Sequence, residues 1–254
     1  MKGDTVGSVQ PVIDVKEFTM QFGKKVVIDN LSFEVKKGET FGFLGSNGSG
    51  KTTTMRALLG IYLPTRGQLH INGKRFSPED GKDIGYLPEE RGLYKKESVI
   101  DVMTYFGQLK GLGRNEATNW SLEYLEKVKL ADKAKSKIDK LSGGQQQKVQ
   151  LGVTIMNDPS VLILDEPTKG FDPVNRKLLM RIIDEQKAKG ATIIYITHDM
   201  GEVERLCDRL ILLKDGTKAA YGTVKEVTKK FKKQTMDDVF LHVYGEDATT
   251  EGAE

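Results

Sequence analysis

The stretch GSNGSGKT, Gly45 to Thr52, constrains this chain more than any other. It matches GxxxxGK[ST] in full, with an apolar run before it (Thr40 to Leu44) and a helical segment after it, from Lys51 to about Gly60. The glycines let the backbone curl so that successive N–H groups point inward. Together with the helix N-terminus, those donors cradle phosphate oxygens. A buried strand, this turn and a helix in succession place the chain among α/β folds. The expected nucleotide-binding residues are Gly45, Ser46, Asn47, Gly48, Ser49, Gly50, Lys51, Thr52 and Thr53. Lys51 is expected to reach the β- and γ-phosphates, and Thr52 to bind Mg2+ through its hydroxyl.

The flanking pattern extends that reading. Val12 to Phe18 and Val27 to Val35 alternate and predict strands of an N-terminal antiparallel β subdomain. Leu69 to Asn72 and Asp83 to Leu87 predict two more short strands. From about Ser98 to Asn157 the period is helical: Val99, Val102, Met103 and Phe106 recur at helical spacing, as do Leu122, Leu125 and Val128. A helical subdomain over about 90–157 is therefore expected inside the α/β core. The core resumes at the buried strand VLIL, Val161 to Leu164, and continues through a helix over Pro173 to Lys189. Strands follow at Thr192 to Ile196 and Arg209 to Lys214. Strands alternating with helices predict a mostly parallel sheet with right-handed crossovers. Residues 11–234 read as one domain. A closing helix is expected over 235–246, capped by Thr235 and carrying Asp237 and Asp238 at its positive end. Residues 1–10 and 247–254 read as flexible ends.

Two carboxylates, Asp165 and Glu166, end the VLIL run. Unpaired charges are costly to bury, so they are expected to emerge at the C-terminal edge of the sheet, where open α/β sheets bind ligands. Asp165 suits Mg2+, and Glu166 suits the general base that polarises an attacking water. Composition narrows the partners. With 39 basic and 36 acidic residues the net charge is only +3, which argues against a nucleic-acid partner. The one cysteine, Cys207, excludes an intrachain disulfide and reads as a small buried residue on a helix face. No window approaches the ~18 consecutive apolar residues of a membrane span. MKGDTVGSVQ at the N-terminus has no apolar core and does not read as a secretory signal.

A second helix start lies in LSGGQQQ, Leu141 to Gln147, where Ser142 can cap and the glycines permit close approach. LSGGQQQKVQ stands directly upstream of NDPSVLILDEP. With GSNGSGKT, this order resembles the ATPase subunits of ABC transporters. The resemblance implies a P-loop NTPase core, ATP and Mg2+ as ligands, and ATP hydrolysis coupled to transport. It implies that Ser142, Gly143, Gly144 and Gln145 act on the ATP of a second ATPase subunit, with a homodimer expected. It implies that Phe22 in MQFGKK stacks on adenine, that Asp172 in KGFDP touches the partner, and that His198 in YITHD contacts the γ-phosphate. Lys51, Glu166 and His198 are then the catalytic set. A separate membrane-spanning permease is implied, with this chain peripheral on the cytoplasmic face of the cell membrane.

One position departs from the family. Where most relatives carry a glutamine that reaches Mg2+, this chain reads GYLPEERGLY, with Glu89 in that place or Glu90 if the loop is shifted. That text, with MDDVFLHVYGE near the end, is similar to bacterial exporters of sodium, drugs or antimicrobial peptides. Glu89 is accordingly expected as a third oxygen for the metal and a link to the membrane partner. The alternative is a soluble ABC-type ATPase of DNA repair or translation; one phosphate loop and no sustained heptads disfavour it. His70 and His242 read as surface or packing residues. Lys229, Lys230, Lys232 and Lys233 around Phe231 read as a solvated face.

Overall fold

The computed structural model describes residues 10–90 and 92–245. The flexible ends expected over 1–10 and 247–254 lie outside the described residues, apart from Gln10. The chain opens with a hairpin of β1 (Ile13–Phe22) and β2 (Lys25–Val35), followed by β3 (Thr40–Gly45), α1 (Lys51–Leu58), β4 (Arg66–Ile71) and β5 (Ile84–Leu87). Both hairpin strands run further than the alternation predicted. Gly23 turns at φ 58°, so that Phe22 pairs directly with Lys25. Three helices come next: α2 (Val99–Leu109), α3 (Arg114–Lys127) and α4 (Gly143–Ile155). The remainder is β6 (Val161–Asp165), α5 (Pro173–Ala188), β7 (Thr192–Ile196), α6 (Met200–Leu206), β8 (Arg209–Lys214), β9 (Thr217–Gly222), α7 (Val224–Lys230) and α8 (Met236–Tyr244).

Two sheets result. The first is a three-stranded antiparallel sheet in the order β2-β1-β4. The second has six strands in the order β5-β6-β7-β3-β8-β9, all parallel except β9 at its edge. Every residue of β3, β6 and β7 is buried, as strands covered on both faces require. One apolar layer lies between the two sheets, where Phe33 packs on Phe41 and Phe43 with ring centroids 5.8 and 5.3 Å apart. A second joins α2, α3, α4 and α5 to the opposite face, and a third seats α6, α7 and α8 against β3 and β8.

This order positions the site. The phosphate loop leaves the C-terminal end of β3, the carboxylates leave β6, and β7 runs between them with Ile196 paired to both Phe43 and Asp165. The residues after β7 therefore emerge between phosphate loop and carboxylates.

Three features differ from the sequence reading. Leu122 is exposed, and the buried face of α3 is Ala117, Ser121, Tyr124 and Leu125, with Val128 beyond it. Two steps of three residues set Leu122 about 120° around the helix from Val128, and it falls outside the buried stripe that Leu125 and Val128 share. The true stripe starts with two small residues, because α2 approaches closely: a Cβ on Gly107 would lie 2.5 Å from that of Ala117. Strand β9 and helices α6 and α7 add elements that the apolar pattern did not mark. Asp199 caps α6 and Thr223 caps α7, both by accepting a backbone N–H. Cys207 follows α6 and packs against apolar neighbours, and burial pushes its thiol up to about 12, leaving it unreactive. Among the described residues, no helix is long and apolar enough to cross a membrane.

Candidate functional site

Two glycines shape the phosphate loop. Gly45 has φ 153°, and a Cβ there would sit 2.3 Å from Ser49 Oγ and 2.9 Å from the Leu213 carbonyl. Gly50, at φ 103°, caps α1, and a Cβ there would meet Ile28 Cδ1 at 2.2 Å. The loop walls a cavity of about 690 Å³, lined by Gly45, Ser46, Asn47, Gly48, Gly50, Lys51, Thr52 and Thr53 together with Glu89, Asp165, Glu166 and His198. Ser49 turns inward beneath the loop and is buried, with no hydrogen-bond partner for Oγ among the described residues. Lys51 Nζ donates to the carbonyls of Gly45 and Ser46 at 2.8 and 2.9 Å. Burial lowers its pKa, and the carboxylates of Glu166, Asp165 and Glu89 pull it back up. The loop thus holds one desolvated cation at the wall of the cavity and at the start of α1, a geometry suited to a polyphosphate.

At the end of the loop, Thr52 Oγ1 lies 3.5 Å from Asp165 Oδ2. Among the described residues no cluster of three His, Cys, Asp or Glu side chains forms a metal site. Two hard oxygens fit Mg2+ all the same, because that ion takes few protein ligands and fills its shell from phosphate and water. Glu166 adopts φ 47°, a left-handed conformation rare for a non-glycine residue, while its N–H donates to the Ile196 carbonyl at 2.9 Å. Its Oε1 lies 2.8 Å from His198 Nδ1. His198 is largely exposed, so this contact is made at the mouth of the cavity.

A buried carboxylate supports both residues from behind. Glu202 Oε2 accepts from Tyr195 Oη at 2.8 Å, Thr168 Oγ1 at 3.1 Å and Thr197 Oγ1 at 3.4 Å. Those donors sit on β7, on the loop after Glu166 and beside His198. Glu202 therefore ties the carboxylate loop to the histidine.

Glu89, not Glu90, enters the cavity, where its Oε1 is 2.6 Å from Lys169 Nζ. This ion pair offsets the negative charge that a glutamate brings to a phosphate site. Lys169 follows the DEPT segment directly, and its place in the cavity was missed by the sequence reading. So were Lys25 and Val27 of β2 and Phe240 of α8. Other expected residues stand apart from the cavity. Phe22 lies at the hairpin turn, with its ring edge-on to Tyr62 at 5.3 Å. Ser142 caps α4 in a capping box with Gln145: Gln145 N–H donates to Ser142 Oγ at 3.3 Å, and Ser142 N–H to Gln145 Oε1 at 2.8 Å. Gly143 and Gly144 form the first turn. Asp172 caps α5, accepting the N–H groups of Val174 and Asn175 at 2.9 Å; these bonds, Asn175's foremost, hold its carboxyl below the usual range.

Burial pushes the Asp165 carboxyl up to about 6, with the negative charges of Glu89 and Glu166 adding to the effect. The folded chain then binds a proton more readily than the unfolded chain between about pH 4 and pH 6. Stability of the ligand-free chain falls as pH rises through that window. Above it the loss is complete, at about 3 kcal/mol for a shift of this size. Asp165→Asn is expected to raise the urea midpoint of the ligand-free chain at about pH 8 and to leave it nearly unchanged at about pH 4. Equal midpoints at the higher pH would show that Asp165 ionises without cost.

Comparison with known proteins accords with this geometry. The profile of the family described as ABC transporter matches residues 28–169. An uncharacterized ABC transporter ATP-binding protein of Methanocaldococcus jannaschii is 47% identical, over 87% of this chain and 81% of that protein. A linearmycin resistance ATP-binding protein of Bacillus subtilis is 34% identical, over 89% and 73%. A Nod factor export ATP-binding protein of Burkholderia lata is 36% identical, over 94% and 78%. A solved structure described as the ATP-binding subunit of an ABC transporter superposes with a TM-score of 0.85 at 30% identity, over 91% of this chain and 98% of that one.

Proposed function

This chain belongs to the ABC transporter family as an ATP-binding subunit, an ATPase coupled to transport, and from that premise we propose that it powers an exporter. Two copies close on two ATP molecules, and that closure drives a separate membrane-spanning partner. The chain works at the cytoplasmic face of the membrane, without nucleic acid. Its similarity to a drug-resistance subunit and a Nod factor export subunit supports the direction of transport.

The observation that carries this reading is a mismatch. The helix start at Ser142 is exposed and stands outside the cavity that the phosphate loop builds. A helix N-terminus attracts phosphate, yet this one has none to hold within its own chain. A Cβ on Gly144 would meet nothing closer than the Phe171 ring at 3.6 Å, so packing inside the chain does not require glycine there. Close approach by the ATP of a second copy does. Asp172 at the start of α5 is exposed in the same way and suits the interface.

In hydrolysis, Glu166 accepts a proton from water as the water oxygen bonds to the γ-phosphorus. The bond from that phosphorus to the β–γ bridging oxygen breaks, leaving ADP and phosphate. His198 fixes the Glu166 carboxylate and reaches the γ-phosphate from the cavity mouth. Lys51 leaves its loop carbonyls for the β- and γ-phosphates. Mg2+, held by Thr52 and Asp165 with Glu89 nearby, would neutralise phosphate charge. Phe22 offers its half-exposed ring to adenine.

Affinity purification of this chain from native membranes tests the assignment. A co-purifying chain with membrane spans is expected. Recovery only with partners that lack them would contradict a transporter role.

A further inference from the structure

The last helix reaches the phosphate loop. Tyr244 Oη accepts the backbone N–H of Ser46 at 2.9 Å, across 198 residues of sequence, and donates to the carbonyl of Leu213. Leu213 pairs with Gly45, so the hydroxyl bridges the end of β8 and the start of the loop. The same stretch of loop holds Lys51 through the carbonyls of Gly45 and Ser46. One turn earlier on α8, Phe240 packs its ring against Tyr244 with centroids 4.5 Å apart. Phe240 also lines the cavity, as do Lys25, Val27 and Asn47.

Helix α8 is held firmly enough to make these contacts matter. Thr235 caps it by accepting the Asp238 N–H at 3.2 Å, and Met236 N–H donates to Glu204 Oε1 at 2.6 Å. At the other end, Lys214 Nζ donates to the Val243 carbonyl at 2.8 Å. Met236, Val239 and Val243 are buried in the cluster that contains Leu44, Met200 and Val203. The buried face thus fixes the helix, and the remaining face points two aromatic side chains at the site.

We propose that α8 is a wall of the nucleotide site, in which Tyr244 positions the base of the phosphate loop and Phe240 presents its ring to bound nucleotide. This rests on the reading of the cavity as the ATP site. The Ser46 N–H is occupied by Tyr244. The hydroxyl therefore acts through the loop, by fixing the backbone that carries Gly48, Gly50 and Lys51. Phe240 acts directly, by excluding water from one side of the nucleotide.

Steady-state hydrolysis of Mg·ATP by the full chain tests this. Tyr244→Phe keeps the ring and deletes both hydrogen bonds, and Phe240→Leu keeps apolar volume and deletes the flat ring. Each is expected to raise KM about 3- to 10-fold, with kcat within about twofold of wild type. A merely structural role would reduce the active fraction, lowering kcat and leaving KM unchanged. Wild-type KM in both variants, or a loss confined to kcat, overturns the proposal. A rise in one variant alone keeps the role for that residue and removes it from the other. Lys51→Ala separates the two levels. If it binds ATP as wild type does, the nucleotide-site reading itself fails. If it loses ATP while both α8 variants keep wild-type KM, only the role of α8 fails.

Discussion

Glu166→Gln is expected to lower ATP turnover by about 10²- to 10⁴-fold, the range that a positioned general base supplies. Gln has the shape of Glu and can still accept at the atom that meets His198 Nδ1, 2.8 Å away. It cannot take a proton from water at neutral pH. Every contact that defines the cavity on the phosphate side survives, because Lys51, Thr52 and the glycine backbone are untouched. ATP affinity should therefore stay within a few-fold of wild type while hydrolysis collapses. That separation matters more than the size of the loss. A variant that fell in both would point to a disturbed loop, since Glu166 sits at φ 47° and its N–H holds the Ile196 carbonyl. Turnover within tenfold of wild type would remove Glu166 from the role of base and leave His198 as the next candidate.

The second large effect is at Lys51. Lys51→Ala deletes the one cation that the phosphate loop carries. Losing a desolvated, hydrogen-bonded charge opposite an anion costs about 2–5 kcal/mol. Affinity for ATP should fall roughly 30- to 5,000-fold by calorimetric titration. The loss should be larger for ATP than for AMP, because Lys51 is expected to reach the outer phosphates. Equal loss for both nucleotides would mean that the variant damaged the loop rather than the phosphate contact. Without ligand, Lys51 also balances Glu166, Asp165 and Glu89 across the cavity, so its removal takes one cation from all three while Lys169 still pairs with Glu89.

What could be read from the chain alone was local. GSNGSGKT dictates its own backbone, since Gly45 and Gly50 take conformations and approaches that a Cβ forbids. Ser142 and Thr235 announce helix starts because a cap needs only the next three residues, and both form the bonds their spacing implies. VLIL followed by Asp165 and Glu166 is legible because an apolar run that ends in charges must emerge where charges can be solvated or paired.

What could not be read was distant in sequence. Glu89 pairs with Lys169 across 80 residues, so the glutamate in the cavity has its own cation. Glu202 gathers Tyr195 and Thr197 from the end of β7 and Thr168 from the loop after Glu166, 34 residues away, and no spacing rule marks it. No local spacing marks Phe240 or Tyr244 as near a nucleotide. Tyr244 reaches the phosphate loop, and Phe240 the cavity, because α8 packs in the cluster that contains Leu210 and Leu212 of β8. Leu122 failed for a different reason: the buried stripe of α3 is carried partly by Ala117 and Ser121, whose small side chains give no apolar signal.

The central claim is that ATP is held between two copies of this chain, with Ser142 of one facing the phosphates held by the loop of the other. Sedimentation velocity of Glu166→Gln with Mg·ATP tests it most directly, because the variant should bind nucleotide and not release it by hydrolysis. The account predicts a species of twice the chain mass with ATP and a single chain without it, and no such doubling when Ser142→Arg is added. A single chain under all conditions, or doubling that survives Ser142→Arg, would contradict it.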